Sequence, residues 1–169
     1  MKSPAQVARV VLTHGRWVAG ELTYRGWPRH LVHFYGNTPG DDLMCTVVLR
    51  EMRKRGRRRV WMMSRFPGLF ERNPDVDVVV PFDMRYERMI NWVGGRDWYV
   101  HYGGHDSAAD RSPAIERHIL ALMCQACDIS GPVTLRPYLS LSDTERAAGR
   151  LAPRQHALHS SGQSAFSAM

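Results

Sequence analysis

Two carboxylates stand side by side at Asp41 and Asp42 in "HFYGNTPGDDLMCTVVLREMRKRG". An apolar run ends there, a turn rich in Gly, Pro and Asn follows, and a helical pattern begins. A carboxylate at that corner has two uses. It can cap the helix by accepting from its free amides, or it can act as a general base on a substrate hydroxyl. One helix end needs one cap, so a pair leaves a second group for chemistry. The positive end of the helix favours negative charge at both positions.

Other chemistry-bearing residues are weaker candidates. His101 and His105 flank Gly103-Gly104 where an apolar run exits, a place from which they can touch a ligand. Cys124 and Cys127 form a C-x-x-C inside a helical pattern without a second pair, so buried, inert thiols are expected. The chain has eight histidines, but no spacing matches a zinc signature, and no metal is expected. Neither G-x-x-x-x-G-K-[ST] nor G-x-G-x-x-G occurs; Gly36 and Gly40 fit neither pattern.

The elements that must position these groups alternate. Residues 5–24 mix apolar and basic residues at helical spacing, and Gly26 and Pro28 end that segment. A strand is expected over residues 31–35, LVHFY, and a helix over residues 41–55. Leu43, Val47, Leu49 and Met52 form its apolar stripe, and Arg50, Arg53, Lys54 and Arg55 its wet face. A second strand covers residues 59–64 and a short helix 67–72. Asn73-Pro74-Asp75 makes a turn into a third strand, 76–80. A fourth strand covers residues 98–102. A helix begins at the Ser112-Pro113 cap and runs to about residue 126. Residues 133–139 are extended. Ser142-x-x-Glu145 is a capping box for a short helix ending near Gly149, and residues 154–159 read as one more strand. Strands alternating with helices predict βαβ units: an α/β, Rossmann-like, mainly parallel sheet flanked by helices.

Composition sets the bounds. The chain has 169 residues, a formal net charge of +7, 44% hydrophobic and 23% charged residues, which suits a packed domain. Three cysteines do not make a disulfide framework and favour a reducing compartment. The amino terminus is a poor secretory signal, and no apolar run approaches the roughly 20 residues of a membrane span. A soluble, cytoplasmic protein is expected, with peripheral contact at an inner membrane as an option. The basic run from Arg53 to Arg59 favours anionic partners. It lacks interleaved aromatics and RNA-binding signatures, so no nucleic acid is expected. Trp17, Trp27 and the basic amphipathic start fit a membrane surface as well as they fit packing on the sheet.

"GDDLMCTVVLREMRKRG…RVWMMSRFPGLFERNPDVDVVVPFD" resembles the amino-terminal half of family 9 glycosyltransferases, the lipopolysaccharide heptosyltransferase-like enzymes. The resemblance covers roughly Leu31 to Asp83 and weakens through Asp97 to Gly104 and Ile115 to Cys127. It implies the amino-terminal half of a GT-B fold, in which two Rossmann-like domains face each other across a cleft. It further implies an inverting, metal-independent transfer of a sugar from a nucleotide-sugar co-substrate to a glycan or lipid-linked acceptor. By resemblance Asp41 is the catalytic base, and Asp42, where the family is variable, is the helix cap. Asn37, Thr38, Gly40, Asp42, His101, Gly103 and Gly104 would line the acceptor side.

The expected organisation is a basic amphipathic segment over 1–30, an acceptor-side domain over 31–140 and a linker helix over 141–152. The first strand of an otherwise missing donor domain, with a tail, occupies 153–169. "QHALHSSG" resembles the start of that domain, where Ser160, Ser161 and Gly162 would contact donor phosphate. On this reading the chain is an acceptor-side half without transferase activity alone. The alternative is a non-catalytic Rossmann-like module that binds a phosphorylated glycan or a partner chain.

Overall fold

The structure is a computed structural model that describes residues 4–36, 38–101 and 118–148. In chain order the elements are α1 (Pro4–Arg25), β1 (His30–His33), α2 (Pro39–Lys54), β2 (Val60–Ser64) and a 3₁₀ turn (Pro67–Leu69). They continue with β3 (Val78–Pro81), α3 (Arg85–Trp92), β4 (Arg96–Tyr99), α4 (Ile119–Ala126) and α5 (Asp143–Ala148). The four strands form one sheet in the order β3-β2-β1-β4, and every pairing is parallel. This is an α/β, Rossmann-like arrangement.

Alternation along β1 divides the core into two layers, because successive side chains in a strand face opposite sides. Val32 joins Val60, Met62 and Trp98 under α2 and α4, where Val47, Val48, Leu49, Met52, Leu120 and Met123 are buried. Leu31 joins Trp61, Met63 and Val80 under α3, through Tyr86, Met89 and Ile90. Val18 of α1 is buried in that second layer, and Trp17 and Leu22 pack against it. A fully buried side chain of this size contributes about 1.5–3 kcal/mol, against about 0–1 for an exposed ion pair. The two apolar layers therefore decide the fold.

Several sequence-based boundaries shift. Helix α2 begins at Pro39, not at residue 41, because Thr38 is its N-cap and Pro39 its first residue. Strand β4 begins at Arg96, two residues earlier than expected. Arg96 is accommodated by an ion pair to Asp128, and Asp97 by its contact with His33 of β1. Helix α3 was not anticipated. The helix expected at 67–72 is a 3₁₀ turn, and residues 133–139 carry no regular structure. The capping box is present: Ser142 Oγ accepts from Glu145 N at 3.1 Å, and Glu145 Oε2 accepts from Ser142 N at 2.7 Å. The Ser112 cap and the strand expected at 154–159 lie outside the described residues.

The wet face expected on α2 is largely engaged. Arg50 donates to the carbonyls of Thr134 and Arg136, and Arg55 to Glu51 and the Ser130 carbonyl. Arg57 donates to the Cys127 carbonyl at 2.7 Å and lies over the Trp98 ring. Arg53 pairs with Asp77 at 2.9 Å. The basic run thus ties the chain after α4 and the turn before β3 to α2. These contacts satisfy carbonyls that no sheet or helix would pair.

Candidate functional site

In an open parallel sheet, ligands bind beyond the carboxyl ends of the strands, at the switch point where the strand order reverses. That switch lies between β1 and β4. Strands β2 and β3 follow on one side of β1, and β4 returns to its other side. The two ends are held level: His33 pairs with Tyr99 in register, and Val100 N donates to the His33 carbonyl at 2.8 Å.

Helix α2 starts beside this switch. Thr38 has extended backbone, and its Oγ1 accepts from Asp41 N at 3.3 Å, which makes Thr38 the N-cap. The expectation that Asp42 caps the helix is therefore wrong. Asp42 is 1% exposed and points inward, where the Ser64 hydroxyl at the end of β2 donates to its Oδ2. The same hydroxyl accepts from Phe66 N at 2.8 Å, so Ser64 joins the helix start to the loop after β2. Burial raises the Asp42 pKa, and the Ser64 and Phe66 hydrogen bonds only partly offset this.

Asp41 is half-buried in the first turn of α2. Its Oδ2 lies 2.5 Å from the point a Cβ on Gly36 would occupy, so the carboxylate leans back over the exit of β1. That point is also 2.3 Å from Phe34 Cε1, and only glycine fits there. Gly40 is exposed in the same helical turn. His101, just beyond β4, sits with its ring 5.3 Å from that of Tyr99. The structure thus brings Thr38, Gly40, Asp41 and His101 to one edge of the sheet, whereas Asp42, expected to line the acceptor side, is buried beneath it. Asn37, Gly103, Gly104, His105, Ser160, Ser161 and Gly162 lie outside the described residues.

The same edge holds a cluster that the sequence patterns did not reveal. His33 ends β1 on the α3 face and is 1% exposed. Its Nε2 is 2.9 Å from Asp97 Oδ1 of β4 and 3.8 Å from Glu87 Oε1 of α3. The Tyr35 hydroxyl donates to Glu87 Oε1 at 2.5 Å. Burial and the Glu87 hydrogen bond push the Tyr35 pKa upward. The His33 ring stacks on Tyr99 with centroids 5.6 Å apart. Neither ring nitrogen of His33 makes a hydrogen bond among the described residues, and Asp97 Oδ1 accepts none. Two signals were available: a histidine inside the apolar run LVHFY, and an aspartate one residue before Trp98. Their partner Glu87 sits on the helix that was not anticipated.

The three cysteines are free and buried, and burial raises all three thiols, Cys124 to about 11 and Cys127 to about 12. All three are packing groups, as expected for Cys124 and Cys127. Among the described residues no helix is long and apolar enough to cross a membrane.

Fold and site together define an α/β protein of Rossmann-like type with a polar edge at its topological switch. Comparison with known proteins finds no matching family model, no matching curated protein and no matching solved structure.

Proposed function

We propose that the chain is the acceptor-side half of an inverting, heptosyltransferase-like glycosyltransferase, with Asp41 as the general base. The observation that carries this reading is the division of labour between the paired aspartates. Thr38 caps the helix and Ser64 engages Asp42, which leaves Asp41 leaning over the exit of β1 at the ligand edge. There its carboxylate would take the proton from an acceptor hydroxyl as that oxygen attacks the anomeric carbon of a nucleotide sugar. The nucleotide leaves from the opposite face, and the anomeric centre inverts. His101 would contact the acceptor from the β4 side. The donor would be held by a second domain.

The test combines binding with turnover. The purified chain is titrated with lipid-linked and phosphorylated glycans, and transfer from a panel of nucleotide sugars is assayed with a donor-binding half supplied. Transfer abolished by Asp41→Asn supports the reading. Acceptor binding without transfer under any donor would replace it with the non-catalytic glycan-binding module. No glycan binding would overturn both.

A specific feature also favours contact with an anionic membrane at the opposite edge. There Trp27, Arg29, Arg59 and Arg96 line one recess, and the exposed Arg58 borders the next. Trp27 is 56% exposed. An exposed tryptophan beside arginines suits a lipid headgroup layer.

A further inference from the structure

We infer that His33, Glu87 and Asp97 form a binding site for one divalent first-row transition-metal ion. The inference is independent of the glycosyltransferase reading. Nε2 of His33 and one carboxylate oxygen from each of Glu87 and Asp97 lie within 4.8 Å of one another. They come from three elements, β1, α3 and β4. Ligands about 2.1 Å from a tetrahedral ion are separated by about 3.4 Å. The His33 distances of 2.9 Å and 3.8 Å bracket that spacing.

A second observation separates a cation site from an ordinary histidine–carboxylate pair. His33 is almost fully buried, so an unpartnered ring nitrogen is costly. Asp97 Oδ1 is at bonding distance from Nε2, yet the pair fails the direction of a hydrogen bond. A hydrogen bond needs the oxygen on the in-plane axis of Nε2. A shared cation takes that axis itself and leaves the oxygens to its sides. The geometry suits the second case.

The surroundings fit. The Tyr35 hydroxyl holds Glu87 Oε1, as outer hydrogen bonds hold metal-ligating carboxylates. Tyr99 fixes the His33 ring by stacking, and Tyr35 packs edge-on against Tyr99. One imidazole with two carboxylates favours Zn²⁺, Mn²⁺, Fe²⁺ or Co²⁺ over the all-oxygen ions Mg²⁺ and Ca²⁺. Asp97 is 26% exposed and Glu87 18%, so an ion can enter between them and retain open positions for water or a substrate oxygen.

The test uses the full chain after chelator treatment. Zn²⁺, Mn²⁺ and Mg²⁺ are titrated by calorimetry, and thermal unfolding is recorded at each end point. One Zn²⁺ or Mn²⁺ per chain is expected, with at least tenfold weaker Mg²⁺ binding. With the ion at about 100 times its Kd, Tm should rise by about 5 °C or more. Asp97→Asn and Glu87→Gln keep size and remove charge at partly exposed positions. Each should weaken binding about 10–100-fold while the chelated variants unfold cooperatively. Asp83→Asn, elsewhere on the same edge, should leave the ion's affinity unchanged. His33→Ala risks misfolding and is replaced by cobalt spectroscopy, in which the His33 ring protons should show paramagnetic shifts. Absence of stoichiometric binding to folded wild-type protein, or binding indifferent to both carboxylate variants, would overturn the inference.

Discussion

The Ser64 hydroxyl, at the carboxyl end of β2, donates to the buried Asp42 carboxylate at the start of α2. It is the link that fixes the first turn of α2 over the sheet. Ser64→Ala leaves that carboxylate with only the Phe66 amide as donor and should cost about 1–3 kcal/mol in urea unfolding. An unchanged midpoint would show that Asp42 is satisfied elsewhere.

Asp42 also predicts a pH trend. Its folded-state pKa is raised by burial, so the folded protein holds this proton more tightly than the unfolded chain does. The favourable contribution is complete below the ordinary value of 3.8 and is lost as pH rises through the raised folded value. Asp42→Asn should therefore compare best with wild type near neutral pH and progressively worse in acid. Parallel urea curves across that range are the measurement.

Glu51 should behave in the opposite sense. Burial acts to raise its pKa, but Lys54, Arg55 and the Thr134 amide outweigh burial and leave it lowered. Its contribution is present above the ordinary value of 4.5 and is lost as pH falls through the lowered value. Glu51→Gln should cost about 1.5–3 kcal/mol at pH 7, the usual scale for charged hydrogen bonds, and less in acid. A constant difference across pH would contradict this assignment.

Gly36→Ala tests the Asp41 position. The added methyl meets Phe34 Cε1 at 2.3 Å and Asp41 Oδ2 at 2.5 Å. Overpacking of this kind costs about 1–3 kcal/mol. The variant should also lose acceptor binding, because Asp41 is displaced. Asp41→Asn should instead leave Tm nearly unchanged and lower transfer by about 10²–10⁴-fold. Full transfer in Asp41→Asn would leave that residue without a catalytic role.

The arginine edge predicts binding to vesicles that carry anionic lipid. Replacing Arg29, Arg58 or Arg59 with Gln should each weaken partitioning about fivefold, from about 1 kcal/mol per cation near such a surface. Co-sedimentation at low and high salt reads this directly. Equal binding to neutral vesicles would remove the electrostatic account.

Much of the frame was legible. LVHFY, RVWMMS and the run before Pro81 are short, mostly apolar stretches, and both faces of a parallel strand are buried, so they read as strands. Two adjacent aspartates obscure the cap: Thr38-Pro39 carries the stronger start signal. Helix α3 buries Tyr86, Met89 and Ile90 in a segment of eight residues, too brief for periodicity to stand out. The start of strand β4 is hard to read because Arg96 and Asp97 look like loop residues until their partners Asp128 and His33 are in place. Those partners come from distant segments, and only the fold supplies them.

The strand order has a consequence for synthesis. Strand β1 gains β2 as a neighbour soon after emergence, but its other side waits for β4, beyond β3 and α3. Until then the backbone edge at Leu31 to His33 is unpaired and open to a strand from another nascent chain. That edge is covered only once the chain has been made through Tyr99.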